Sequence, residues 1–114
     1  MAFDAYLADR IREVVVEQRD VTEKRMFGGL AFLWCGKMFV GIVRDELMLR
    51  LGPERATLAL ALPHVRPMDF TGKPMKNYVF VAPEGVDREA DLHAWVREAL
   101  AFVQASARAQ THGR

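Results

Sequence analysis

Met26-Phe27-Gly28-Gly29-Leu30-Ala31-Phe32-Leu33-Trp34-Cys35-Gly36-Lys37-Met38-Phe39-Val40-Gly41-Ile42-Val43 is apolar almost throughout and punctuated by glycine. β-Branched and aromatic residues suit a pleated, buried surface, and glycine supplies the positive φ values that tight turns need. The stretch therefore reads as consecutive core strands, about Leu30–Trp34 and Lys37–Val43. Cys35-Gly36 is the turn between them, with Gly36 left-handed, and Gly28-Gly29 turns the chain out of a preceding strand, Val21–Phe27.

Working outward, Arg44-Asp45-Glu46 reads as a third turn, into Leu47-Met48-Leu49-Arg50-Leu51. There the leucines share one face, and Met48 and Arg50 take the other. Four sequential strands with short turns imply an antiparallel meander. Before it, Phe3, Leu7, Ile11, Val14 and Val15 recur at helical spacing, which predicts an amphipathic helix over about residues 4–18, capped by Asp4. After it, Gly52-Pro53 opens a short helix that runs through Leu58, Leu60 and Leu62 to Pro63. His64–Phe70 and Asn77–Val81 are extended, joined by a turn at Thr71-Gly72. Asp87 reads as the cap of a last helix carrying Leu92, Trp95, Val96, Ala99 and Val103 to about Ala107.

The sum is an α+β fold: a two-layer sandwich with a mostly antiparallel sheet of five to six strands, N- and C-terminal helices and a short middle helix. At 114 residues the chain is read as one domain spanning residues 1–114, with an ordered core of about 3–107, burying roughly 65% of its unfolded surface.

Hydrophobic residues make up 51% and charged residues 27% of the chain, an ordinary globular balance. The formal charge is +1, and the two halves are equally balanced, so no basic tail or half drives non-specific nucleic-acid binding. A single cysteine, Cys35, excludes an internal disulfide and suits a reducing compartment. With no visible leader and no membrane-length apolar run, the cytoplasm is the expected location.

Candidate chemistry is sparse. Six residues separate Gly29 from Gly36-Lys37, where a phosphate loop has four, and Met38 stands where Ser or Thr should be. His64, His93 and His112 lack metal-ligand spacing, and the one serine, Ser106, has no nucleophile motif around it. Neither a metal nor a cofactor is expected, and no catalytic residue is assigned. Cys35 could react only if a nearby cation such as Lys37 lowered its pKa; otherwise it is a small apolar residue. The most suggestive polar residues are Lys24, Arg25, Arg66, Asp69, Lys73 and Lys76, with Phe70 and Tyr78 close to the last four in sequence. Cations interleaved with aromatics fit an acidic protein surface or a single-stranded nucleic acid. Trp34 and Tyr78 could border a small-ligand pocket.

Three segments resemble the N-terminal domain of the TfoX/Sxy family of competence regulators: Arg25-Met26-Phe27-Gly28-Gly29, Gly36-Lys37-Met38-Phe39 and Arg66-Pro67-Met68-Asp69-Phe70-Thr71-Gly72-Lys73-Pro74-Met75. The likeness runs from about Phe3 to Ala105. It implies a two-layer domain similar to secretion-chaperone-like folds, with Met26, Phe27, Gly28, Gly29, Gly36, Phe39, Phe70 and Gly72 in structural roles. It also implies no catalytic residue. Full-length members promote DNA-uptake gene expression alongside the cyclic-AMP receptor protein and carry a second, helical domain; this chain is read as the first domain alone.

The resulting expectation is a non-enzymatic regulatory module that binds a protein partner through a sheet edge, an apolar face or the Arg66–Lys76 hairpin. Direct nucleic-acid binding by the Lys/Arg cluster is the alternative, and small-ligand binding a weaker one. Homodimerisation through exposed sheet edges or methionine-rich surface is left open.

Overall fold

The computed structural model describes residues 4–26, 28–70 and 73–112; for residues 69, 70, 73–75 and 108–112 it describes the backbone only. Phe27 and Gly72 therefore lie outside the described residues. The elements run α1 (Ala5–Val14), β1 (Val21–Met26), β2 (Gly29–Trp34), β3 (Lys37–Val43), β4 (Glu46–Arg50), α2 (Pro53–Ala59), β5 (Val65–Phe70), β6 (Lys73–Val81) and α3 (Glu89–His112). A single 3-10 turn, Pro83–Gly85, separates β6 from α3. All six strands form one open antiparallel sheet in the order β1-β2-β3-β4-β6-β5. The α+β class and the meander follow the sequence reading.

Strand alternation divides the sheet into two faces. Leu30 and Phe32, Val40 and Ile42, Leu47 and Leu49, and Val79 and Val81 point into one core together with residues of all three helices. Met48, Met68 and Phe80 form a second buried cluster on the other face, with Met38, Val43 and Tyr78 packed around it. The period-two pattern of Leu47-Met48-Leu49 thus sorts the leucines from the methionine as the sequence predicts.

The pairing of β2 with β3 shifts between Phe32 and Leu33: Phe32 opposes Val40, but Leu33 opposes Met38. Phe39 is the extra residue. This bulge lets Phe39 and Val40, consecutive and both fully buried, join the helix-side core, while Met38 turns to the opposite cluster.

Cys35 (φ 49°) and Gly36 (φ 82°) form a two-residue connection with both φ positive, the geometry that matches strand twist in a tight hairpin. At the first hairpin Gly28 has positive φ (73°); Gly29 is the first residue of β2, not part of the turn.

The helix ends differ from the sequence reading in three places. α1 stops at Val14 rather than near Gln18, because the β-branched run Val14-Val15-Val16 weakens the helix and Asp20 adopts φ 67° ahead of β1. α2 ends at Ala59, four residues before Pro63, and Ala61 and Leu62 N–H groups reach back only three residues, to Leu58 and Ala59. α3 begins at Glu89, with Leu92 N–H donating to Arg88 O, so Arg88 and not Asp87 holds the cap position. It then runs 24 residues, past Ala107. Asp4 caps α1 as expected, its carboxylate accepting from the N–H groups of Tyr6 (2.9 Å) and Leu7 (3.1 Å).

α1 and α3 pack on each other and α3 crosses β2, β3 and β4, whereas α2 packs on β6. Arg10, only 12% exposed, fixes the α1–α3 junction. It bonds Glu89 at 2.6 Å and donates to the carbonyl of Val86 at 2.6 Å. None of the helices, among the described residues, is long and apolar enough to cross a membrane.

Candidate functional site

The strand order separates the cationic cluster that the sequence suggested. Lys24 and Arg25 lie on β1, one edge of the sheet; Arg66 and Asp69 lie on β5, the other edge, with Lys73 and Lys76 on the adjoining β6. Four to five strand spacings, roughly 19–24 Å measured along the sheet, intervene. Lys24 and Arg25 are consecutive in a strand and so project to opposite faces. The backbones of Asp69 and Lys73 are within the β5–β6 hairpin; their side chains and that of Phe70 lie outside the description.

Arg66 is committed to its own fold. Its guanidinium lies 4.5 Å from the centroid of the Phe80 ring and makes two bonds to the Glu46 carboxylate, at 2.5 and 3.0 Å. Those bonds hold the Arg66 pKa above its ordinary value. The proposed small-ligand pair is also divided: Trp34 packs at the border of the helix-side core, Tyr78 against the methionine cluster on the other face. Cys35 is exposed at the tip of the β2–β3 hairpin, and its N–H donates to Asp20 O.

What the fold does build is a cleft of about 500 Å³ between α2 and α3. From the α2 side, Leu58, Ala59 and Leu62 line it; from α3 come Ala94 and the half-buried Trp95. Leu58 is 74% exposed and Leu62 50%, so the cleft is edged by leucines that stand in solvent. Arg55 and Glu98 close one end with an ion pair of 3.4 Å, and Asp91 stands seven residues earlier on α3, about 10 Å away along the helix. Among the described residues Asp91 makes no ion pair.

The local reason is periodicity. Leu58, Leu60 and Leu62 are spaced by two, which does not match a helical period of 3.6, and of the three Leu58 alone lies within α2, Leu60 and Leu62 following its last residue, Ala59. The residues that α2 buries are Ala56 and Ala59, at the i,i+3 spacing. Their small side chains leave the leucines outside. That mismatch between leucine content and helical spacing is the sequence signal for the cleft, and the cation count obscures it.

Among the described residues no group of three or more His, Cys, Asp or Glu could hold a metal ion. His93 stands 3.8 Å from Glu89 on the same helix.

Fold and surface together define an α+β domain with one helical layer, a closed hydrophobic core and an apolar cleft edged by charge. The sequence matches the TfoX N-terminal domain over residues 13–103, and the chain belongs to that family. A crystal structure of the Deinococcus radiodurans protein DR2400, with the domain DUF419, is similar at a TM-score of 0.60. The likeness has 23% identity and covers 84% of this chain and 77% of that one, which speaks for the fold. No curated protein matches the sequence.

Proposed function

We infer that this domain is a non-enzymatic protein-binding module that engages its partner through the α2–α3 cleft. The observation that carries this reading is the exposure of Leu58 and Leu62 beside Trp95, at the mouth of a preformed apolar hollow. Exposed apolar side chains that are contiguous and bordered by charge characterise contact surfaces, and aromatic residues dominate their energetics. Membership of the TfoX N-terminal domain family supports a regulatory role, linked to transcription and competence in the manner of the regulators that share the domain.

The reading is tested by affinity capture with two baits, the wild type and a Leu58→Glu/Leu62→Glu variant whose fold is verified by circular dichroism. A partner enriched on the wild type and lost from the variant supports it. A partner retained equally on both contradicts the cleft as the contact site.

A further inference from the structure

The Arg55–Glu98 ion pair borders a second hollow as well as the cleft, one of about 530 Å³, within the range that small ligands occupy. Arg97, Ala101 and Ala105 line it at four-residue steps on one face of α3, with Phe102 beside them. The two alanines leave space, and Phe102 supplies an aromatic wall. That ring is held in place from behind by a missing side chain: a Cβ on Gly52 would lie 2.4 Å from Phe102 Cε1 and 2.9 Å from Cζ.

The charge here is cationic and unspent. Arg55 and Arg97 face a single carboxylate, Glu98, and a third guanidinium, that of Arg50, lies 5.6 Å from the centroid of the Phe102 ring. Arg50 Nε is buried without a hydrogen-bond partner, a state that buried polar groups rarely keep. Among the described residues Arg97 makes no ion pair, although Glu13 and Glu17 border a neighbouring hollow that it also lines. Arg55 meets Glu98 through Nη1 alone, at 3.4 Å, which leaves its other N–H donors for a ligand while that contact stays. A carboxylate has two oxygens, which one guanidinium fork engages fully; an anion that answers two guanidinium groups at once needs the three terminal oxygens of a phosphate monoester. The Phe102 ring suits a flat apolar body, which inorganic phosphate lacks.

We propose that this hollow binds a small organic phosphate, its phosphate between Arg55 and Arg97 and its flat body against Phe102. The site adjoins the cleft but does not depend on what the cleft binds.

Amide chemical-shift titration of the whole chain with adenosine 5′-monophosphate, inorganic phosphate and adenosine tests this. Saturable shifts centred on Arg55, Arg97 and Phe102 are expected from the nucleotide, at an affinity at least about tenfold above that of either part alone. Arg55→Gln and Arg97→Gln are each expected to raise its dissociation constant about tenfold, since each removes charged hydrogen bonds. Arg44→Gln, the same change of charge between β3 and β4, is expected to leave it unaltered. Phe102→Leu is expected to bring the nucleotide down to the affinity of inorganic phosphate. The amide spectrum itself confirms that each variant is folded. No saturable shift with the nucleotide or with phosphate up to about 10 mM, a range that reaches weak binding, overturns the site. Nucleotide and phosphate binding equally overturns the aromatic seat on Phe102. A loss on Arg44→Gln equal to that on Arg97→Gln, or shifts centred on Leu58 and Trp95 instead, overturns the placement in this hollow.

Discussion

The guanidinium of Arg66 lies over the ring of Phe80, 4.5 Å from its centroid, and reaches past it to Glu46. Arg66 and Phe80 are register partners on β5 and β6, and Glu46 begins β4, so one side chain ties the edge strand across its two neighbours. The arginine that the sequence offered for a ligand has its charge used within the sheet.

Removing that tie should loosen β5. A cation over an aromatic ring contributes about 0.5–1 kcal/mol at exposed sites, and a surface ion pair about 0–1 kcal/mol. Arg66→Ala is expected to lower unfolding stability by about 1 kcal/mol in urea titration with an unchanged slope, and Glu46→Gln by less. Equal stability of Arg66→Ala and wild type would show that neither contact matters.

Because β1 and β5 are opposite edges, the cations do not form a common patch, and phosphate contacts should be few. Fluorescence anisotropy of labelled duplex and single-stranded DNA is expected to show no binding at physiological salt. Binding whose logarithm falls steeply with the logarithm of salt concentration would demonstrate a multi-cation phosphate surface and overturn this expectation.

Gly52 joins β4 to α2 at φ 86°, and a Cβ there would drive into the Phe102 ring of α3. Gly36 has a similar φ of 82° with open space around it. Left-handed backbone costs about 1–2 kcal/mol for a residue with Cβ, and overpacking adds about 1–3 kcal/mol. Gly52→Ala should therefore destabilise by about 3 kcal/mol and Gly36→Ala by about 1 kcal/mol. Gly52→Ala/Phe102→Leu should recover part of the difference. Equal costs at the two glycines would contradict the close approach of Phe102.

Glu23 of β1 accepts two hydrogen bonds from Arg12 of α1, at 2.7 Å each, and these hold its carboxyl below the usual range. A carboxyl depressed on folding adds stability above its unfolded pKa, near 4.3, that is lost as pH falls through the folded value. Both side chains are more than a third exposed, so the gain is below about 1 kcal/mol. Glu23→Gln is expected to lower Tm slightly at neutral pH and to converge on the wild type as pH falls from about 5 to 3. A constant difference across that window would mean that the pair is not the source.

Much of the architecture was legible because local patterning matched global packing. Leu47-Met48-Leu49 separated the two sheet faces by period alone, and Cys35-Gly36 marked a hairpin through the one backbone geometry that suits it. The bulge was hidden, since Phe39 and Val40 share a face only in relation to the register of β2. The Arg88 cap was hidden because Asp87 has the better capping side chain, and the turn after Gly85 decides where the helix begins. Most costly for function was the strand order: the insertion of β6 between β4 and β5 is a long-range choice, and it sends Lys24 and Arg66 to opposite edges. Trp95 was visible as a helical apolar residue, but the hollow beside it depends on α2 burying alanines and leaving Leu58 and Leu62 outside.

The most direct test of the cleft as the contact surface is site-specific photo-crosslinking in cells, with a benzophenone side chain placed in turn at Leu58, at Thr22 on the β1 edge and at Lys76 on β6. The account predicts a discrete protein adduct from Leu58 that Trp95→Ala abolishes, and none from Thr22 or Lys76; an adduct of chain on chain identifies a second copy of the chain as the partner, and an adduct to another protein a different partner. Adducts from Thr22 or Lys76 with none from Leu58 would place the contact on the sheet and contradict the account.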